Sequence, residues 1–217
     1  MSHYTPGAFM REEISTQGQI WAEIIPLVTE QATRIRELFA GVDEVILSGC
    51  GSGLNAALYA ASVLQIQTGL AARAVPAAEI YLFPKNVLVS KRNTLAILIS
   101  RSGRTTEVIH ALEYLQHTSI HVIGITCTAD SPLATQCDLA LVLTSAIDRA
   151  IATTRSLTGM SLAAQLLAAI IADDKDSLAA LHRLPELCRS QMEHYHQLGK
   201  TLGLRTDLTK YACVGNG

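Results

Sequence analysis

The sequence is short of aromatic residues and of charge, and both shortages narrow the class of protein. Aromatic residues make up 5% of the 217 residues and charged residues 17%, whereas hydrophobic residues reach 49%. This apolar share argues against a disordered chain and predicts a sizeable buried core. The formal net charge of −2 gives no electrostatic reason to expect nucleic acid or an anionic membrane as a partner. An anionic ligand therefore has to be held by local geometry.

Signals for metal binding and for a membrane are also missing. The cysteines are scattered and contain no C-x-x-C pair: Cys50, Cys127, Cys137, Cys188 and Cys213. Such a pattern argues against a metal site and fits a reducing compartment. No apolar run has the length that spans a bilayer, and the first residues lack the layout of a signal peptide. We therefore predict a soluble, cytoplasmic protein with no metal, no cofactor, and neither membrane nor nucleic acid as partner.

Short apolar runs alternate with helical patterns through the middle of the chain. The predicted strands are residues 45–47, 95–99, 121–126 and 139–143, with one more near Val75. Residues 54–67 and 107–116 between them have helical patterns. Strands that are apolar throughout and alternate with helices are typical of a parallel sheet covered on both faces. The predicted fold class is α/β, a three-layer α/β/α sandwich with a parallel sheet, preceded by N-terminal helices.

Helical patterns also flank the predicted sandwich. Apolar residues recur at helical spacing over residues 8–40, and Pro26 should kink or split that helix. Residues 157–172 are apolar on almost every face, so we expect a buried helix, covered by neighbouring helices or by a second copy of the chain. Residues 177–199 are amphipathic and should be more exposed.

One loop after a predicted strand has the composition of a phosphate site. Residues 100–105 (SRSGRT) offer three hydroxyls and a glycine, and a helix follows them. In an open parallel sheet, ligands bind at the carboxyl ends of strands, where helix N-termini add free N–H groups and a partial positive charge. The alternative is an ordinary turn in which Ser or Thr forms a capping box with Glu107. The two interpretations are compatible, because both use the same unpaired amides.

Two further loops have composition suited to a ligand. Residues 49–53 (GCGSG) carry glycine at alternate positions, which permits close approach of a ligand. A dinucleotide site is disfavoured because no acidic residue ends the next strand near residues 73–75. A P-loop nucleotide site is disfavoured as well, because the sequence contains no P-loop motif. Residues 148–157 (DRAIATTRSL) precede the apolar helix with consecutive hydroxyls, which suits either an N-cap or a third ligand loop.

Together these stretches resemble the sugar isomerase (SIS) domain family. Residues 10–14 (MREEI) resemble its first helix, and residues 50–53 (CGSG) its C-G-T-S loop. Residues 100–105 resemble its S-x-S-G-x-T phosphate loop, and residues 151–155 (IATTR) its V-A-S-T-K segment. The resemblance is closest to two-domain members, such as the isomerase domain of glutamine–fructose-6-phosphate aminotransferase, the tagatose-6-phosphate ketose/aldose isomerases and the deglycases.

The resemblance implies a role for each matched residue. Phosphate contacts are implied for Ser100, Arg101, Ser102 and Thr105. A sugar-lining role is implied for Cys50, Gly51, Ser52, Ala152 and Thr153. Gly53 departs from the family, where a serine usually donates to the phosphate, so this loop loses one donor. No catalytic residue is assigned, because in two-domain relatives the proton-shuttling glutamate and the ring-opening histidine lie in or after the second domain.

The last residues suggest how the chain is divided. Residues 211–217 (YACVGNG) repeat the apolar run and Gly-x-Gly of residues 45–51, so they are either a last edge strand or the start of a second SIS domain. With the second interpretation, the predicted units are an N-terminal helical segment (1–44), an SIS phosphosugar-binding domain (45–172), a helical connector (173–209) and a truncated second SIS domain (210–217).

The resemblance also implies an activity. We expect binding of a hexose or amino-sugar 6-phosphate, with aldose–ketose isomerisation, deamination or deglycation by proton transfer at C1–C2. The catalytic acid and base are then expected in the missing second domain. Two alternatives remain: a complete single-domain isomerase that acts as an oligomer, and a non-catalytic phosphosugar sensor. A homodimer or higher homo-oligomer is expected, since SIS domains pair so that loops from both partners complete each site.

Overall fold

The computed structural model describes residues 7–89 and 91–212. Within these residues one parallel sheet has the strand order β2-β1-β3-β4-β5. Its strands are β1 (Glu44–Gly49), β2 (Ala71–Pro76), β3 (Thr94–Ile99), β4 (His121–Thr126) and β5 (Leu139–Val142). Every strand predicted from the apolar runs is therefore confirmed, including the strand near Val75. This order is that of flavodoxin-like folds, in which the chain changes direction between β1 and β3.

Helices precede, connect and follow the strands. The three N-terminal helices are α1 (Ala8–Ser15), α2 (Gln17–Thr29) and α3 (Ala32–Leu38). The helices between strands are α4 (Ser52–Thr68), α5 (Ala77–Leu82), α6 (Pro84–Val87), α7 (Thr106–Gln116) and α8 (Pro132–Gln136). A short 3₁₀ turn (Thr144–Ala146) leads to α9 (Arg155–Ile171) and α10 (Lys175–Gly203). Among the described helices, none combines the length and apolar character needed to cross a membrane.

The sheet is covered on both faces, so the predicted three-layer sandwich is confirmed. Val45 and Leu47 of β1 lie in one apolar cluster with α2, α3, α4 and α9, whereas Ile46 lies in the opposite cluster with α5, α7 and α8. Both faces of β1 are buried because successive side chains of a strand point to opposite sides. Each fully buried Ile or Leu contributes about 1.5–3 kcal/mol relative to an exposed one. These clusters hold the strand ends in place.

Helix α9 is buried by other helices of the same chain. Its side chains Met160, Leu166 and Ile170 are buried in the cluster that also contains residues of α2, α4 and α10. Residues 157–172 were expected to be covered either by neighbouring helices or by a second copy of the chain, and the structure shows that neighbouring helices cover them. A second copy of the chain is not needed to bury α9. Self-association therefore stays a prediction, but the apolar surface of this helix no longer supports it.

The N-terminal segment differs from the prediction at Pro26. Helix α2 continues through Pro26 and ends at Thr29, so of the expected kink or split the split does not occur. Ile24, Ile25 and Val28 are buried on either side of it. Their burial offsets the roughly 3 kcal/mol that an interior proline costs. The same residues lie in one apolar cluster with side chains of the sheet, and the division at residue 44 stays a prediction. Residues 213–217 of the predicted second domain lie outside the described residues.

Candidate functional site

The loops that follow β1 and β3 leave the sheet side by side. The two strands are aligned from Glu44 opposite Thr94 to Gly49 opposite Ile99, so they end at the same level. The first turn of α4 then passes directly over the end of β3: a Cβ added at Gly53 would lie 2.6 Å from the carbonyl oxygen of Ile99. This contact explains why glycine stands where the family usually has serine, since no side chain fits there in this arrangement.

The turn at residues 100–105 is organised by two hydroxyls. Ser100 is 3% exposed, and its Oγ lies 2.8 Å from Oγ1 of Thr105. The same Oγ accepts a hydrogen bond from the backbone N–H of Gly103 at 3.1 Å. Either hydroxyl can be the donor of the Ser100–Thr105 pair. When Ser100 donates, the Thr105 hydroxyl proton is available to a ligand.

Gly103 locks this turn against the loop after β4. It has φ +58°, and an added Cβ would lie 2.1 Å from Oγ of Ser131 and 2.8 Å from Oγ1 of Thr126. Only glycine combines this backbone conformation with so close a contact. The amide of Leu133 also donates to the Gly103 carbonyl at 3.2 Å. The turn therefore has one defined shape before any ligand is present.

The side chains of the turn do not cap the following helix. Thr105 occupies the N-cap position of α7, but no side-chain hydrogen bond caps the helix there. The Ser102 hydroxyl accepts instead from the backbone N–H of Arg104 at 3.2 Å. The capping box with Glu107, considered above as an alternative, is therefore not formed. The first N–H groups of α7, without a side-chain cap, are suited to an anion.

The two arginines of the turn point to different neighbours. Arg101 is about one-third exposed; it donates to the carbonyl of Ala150 at 3.3 Å and lies 3.9 Å from the carboxylate of Asp148. Arg104 is exposed and bonds to both the backbone and the carboxylate of Asp130. Arg101 therefore joins the turn at residues 100–105 to the third loop, and Arg104 is held against the loop after β4.

The third loop is held by two buried carboxylates that the sequence did not mark. Asp148 accepts hydrogen bonds from the backbone N–H and the hydroxyl of Thr154 at 3.1 and 3.0 Å, and from Ser156. Glu13 of α1 accepts from the amides of Arg149 and Ala150 at 2.5 and 2.9 Å. Between these attachments Ala152 is exposed and Thr153 half-buried. Their predicted sugar-lining role requires that surface access, which the loop provides.

The cysteines near the site differ in accessibility. Cys50 is exposed between β1 and α4, beside Gly51 and Ser52. Burial, together with the nearby charge of Asp148, raises the pKa of Cys127 to about 12. The Cys127 thiol is therefore uncharged at neutral pH and is not a nucleophile. Among the described residues, no group of His, Cys, Asp or Glu has the arrangement of a metal site.

The fold and these loops define an α/β/α protein with a candidate anion site at the carboxyl edge of its sheet. The model of the SIS domain matches residues 38–170, which is more than half of the chain, and the chain belongs to this family. The first predicted strand and the third loop both fall within the matched part. The resemblance stated from the motifs is thereby confirmed.

Individual relatives cover the chain well but are much longer. Glutamine–fructose-6-phosphate aminotransferase (isomerizing) of Chlamydia caviae is 29% identical over 196 residues, which are 83% of this chain and 32% of the relative. The chain spans about a third of the length of the curated relatives it matches.

Solved structures show the same fold. Tagatose-6-phosphate ketose/aldose isomerase of Escherichia coli has a TM-score of 0.75 at 22% identity, with 88% of this chain and 56% of that chain covered. Glucosamine-6-phosphate deaminase of Thermotoga maritima has a TM-score of 0.58 at 29% identity, with 75% and 53% covered.

Proposed function

We propose that the chain binds a phosphorylated sugar at the carboxyl edge of its sheet. The phosphate would lie in the turn of residues 100–105, against the first N–H groups of α7. The sugar would extend between residues 50–52 and residues 152–153. The observation that carries this proposal is the preformed turn, in which Ser100 is bonded to Gly103 and Thr105 and no side chain caps α7, so that the first N–H groups of the helix are left for a ligand.

The comparisons support a phosphosugar as the ligand class. Aminotransferases, isomerases and a deaminase acting on sugar phosphates are among the relatives by their names. A phosphate needs no global positive field here, because hydroxyls and helix N–H groups supply the donors. This agrees with the formal net charge of −2.

We propose further that the acid and base for proton transfer at C1–C2 come from a second SIS unit. The carboxylates that hold the third loop, Glu13 and Asp148, are buried and bound to backbone amides and hydroxyls. A general base has to reach the proton that it removes, and these two carboxylates serve the loop instead. Isomerisation, deamination and deglycation all remain candidate reactions for the complete assembly.

A second candidate is a single-domain isomerase whose site is shared between copies of the chain. The c3406 protein of E. coli CFT073, which was solved in complex with a ligand, has a TM-score of 0.61 at 22% identity, with 86% of this chain and 95% of that chain covered. A fold unit of this size therefore exists with a bound ligand. This candidate function requires a homo-oligomer, because the site is shared between copies of the chain.

Calorimetric titration with fructose 6-phosphate, glucosamine 6-phosphate and unphosphorylated fructose tests the proposal. Binding of the two phosphates without binding of fructose is the expected result, and a coupled isomerase assay should show little turnover. Equal binding of phosphorylated and free sugar would mean that the turn at residues 100–105 does not contribute to binding. Robust turnover by this chain alone would favour the single-domain candidate.

A further inference from the structure

Helix α1 buries a glutamate and no apolar side chain. Glu13 is 1% exposed and is the buried residue of this helix, whereas Met10 and Ile14 are exposed. Burying a carboxylate is costly unless hydrogen bonds compensate for the lost water. The helix is therefore attached by a polar contact, and the partners of that contact show what the attachment serves.

The hydrogen-bond partners of Glu13 lie in the third loop of the candidate site. One carboxylate oxygen accepts from the consecutive amides of Arg149 and Ala150, and the other lies 3.1 Å from the hydroxyl of Thr154. These residues are 136 to 141 positions away in the sequence. Hydrogen bonds to a charged acceptor are shorter and stronger than neutral ones. Glu13 therefore holds the loop before residues 151–153 through two backbone amides, and after them it shares the Thr154 hydroxyl with Asp148.

The same loop holds the arginine of the phosphate turn. Ala150, whose N–H donates to Glu13, accepts at its carbonyl the hydrogen bond from Arg101 at 3.3 Å. Asp148 adds a carboxylate 3.9 Å from the same guanidinium nitrogen. A continuous path of contacts thus leads from Glu13 through Ala150 to Arg101. The path ends in the residues that bind phosphate in the proposed function.

We propose that Glu13 is a positioning residue for Arg101. From α1 its carboxylate holds the loop at Ala150, and the loop carbonyl holds the guanidinium beside the phosphate turn. Without this contact the loop loses two of its attachments, and Arg101 loses a fixed acceptor. This inference rests on the proposed phosphosugar function, because its effect is measured as ligand affinity.

The first test compares two adjacent glutamates of α1. Glu13→Gln keeps the shape of the side chain and one acceptor oxygen but removes the charge and places a donor at the position that faces the Thr154 hydroxyl. We expect its affinity for fructose 6-phosphate, measured calorimetrically, to fall about tenfold or more. Glu12→Gln is the matched control, since Glu12 is exposed and lies 3.8 Å from Arg149. The control should bind within about twofold of the unaltered protein.

The second test asks whether the effect passes through Arg101. Arg101→Met removes the guanidinium and keeps a long apolar stem. If Glu13 acts by positioning Arg101, then Glu13→Gln should change affinity little in the Arg101→Met background. A glutamate with a merely structural role would weaken binding by the same factor in both backgrounds, and that result would overturn the inference.

A third pair of variants covers the case in which Glu13→Gln does not fold. Thr154→Val removes the hydroxyl that contacts both Glu13 and Asp148, and Thr154→Ser retains it. We expect weaker fructose 6-phosphate binding for Thr154→Val and near-normal binding for Thr154→Ser. Equal affinity of the two variants contradicts the inference. If the unaltered protein binds no phosphosugar, the proposed function fails; if it binds and Glu13→Gln binds equally well, only the positioning role fails.

Discussion

Removing two hydroxyls from the turn at residues 100–105 should weaken ligand binding more than it weakens the fold. The variant is Ser102→Ala combined with Thr105→Ala. In the structure the Ser102 oxygen accepts from a backbone N–H and the Thr105 oxygen pairs with Ser100, so both can still donate their protons outward. Both donors are thus available to a phosphate before it binds.

The expected loss of affinity follows from the strength of charge-assisted hydrogen bonds. Each donor to a charged phosphate oxygen contributes roughly 1.5–3 kcal/mol. Two donors together give at least about 3 kcal/mol, and every 1.4 kcal/mol is a factor of ten. The double variant should therefore bind fructose 6-phosphate at least about 100-fold more weakly.

The expected loss of stability without ligand is small. Thr105 makes no side-chain cap, so its removal costs no capping energy. It does leave the buried Ser100 hydroxyl without its partner, which costs about 1–3 kcal/mol. Ser102 is exposed, and its replacement should change little. A melting temperature lower by roughly 2–12 °C is expected for a chain of this size.

Titration calorimetry measures the loss of affinity, and thermal melting of the same preparations measures the fall in melting temperature. Ser190→Ala combined with Thr201→Ala is the matched control, because these exposed hydroxyls lie on α10 and bond to carbonyls of that helix. The control should bind like the unaltered protein. If the double variant in the turn retains full affinity, the phosphate binds elsewhere and the reasoning is refuted.

Three further predictions test the packing, reactivity and acid stability of the chain. Gly53→Ser should lower the free energy of unfolding by about 1–3 kcal/mol without tightening phosphosugar binding, because its Cβ would lie 2.6 Å from the carbonyl oxygen of Ile99; urea denaturation and calorimetry check this, and a stable, tighter-binding variant would contradict it. Iodoacetamide at pH 8 should label exposed Cys50 before Cys127, whose pKa of about 12 keeps its thiol protonated; peptide mass spectrometry showing the opposite order would refute the burial argument. Burial alone would raise the pKa of Asp138, but hydrogen bonds from a backbone amide and a neighbouring histidine lower it. A lowered folded pKa stabilises above the unfolded value of about 3.9 and loses that contribution as the pH falls through the folded pKa. Asp138→Asn should therefore reduce the dependence of unfolding on pH between about 5 and 2, and an unchanged profile would count against this contribution.

Much of the fold could be predicted from local sequence pattern. The all-apolar run at residues 95–99 predicted β3, and the change to helical spacing predicted α7, because strand and helix each impose their own period on buried side chains. The composition of residues 100–105 likewise indicated a turn between β3 and α7, and its role in binding a ligand stays a prediction. The short helices α5 and α6 were missed, since one turn of helix carries too few residues to show a period.

What the tertiary structure decided concerns residues that are far apart in the chain. The sequence marked Gly53 as a lost donor, whereas the structure shows a glycine that β3 requires. Residues 157–172 were expected to be buried, but only packing showed that α2, α4 and α10 bury them. Glu13 lies in the stretch that resembles the first helix of the family, but only the fold places its carboxylate on the amides of the third loop. Periodicity and composition record what each segment does locally; a hydrogen bond between residues 137 positions apart exists only once the sheet has brought α1 to that loop.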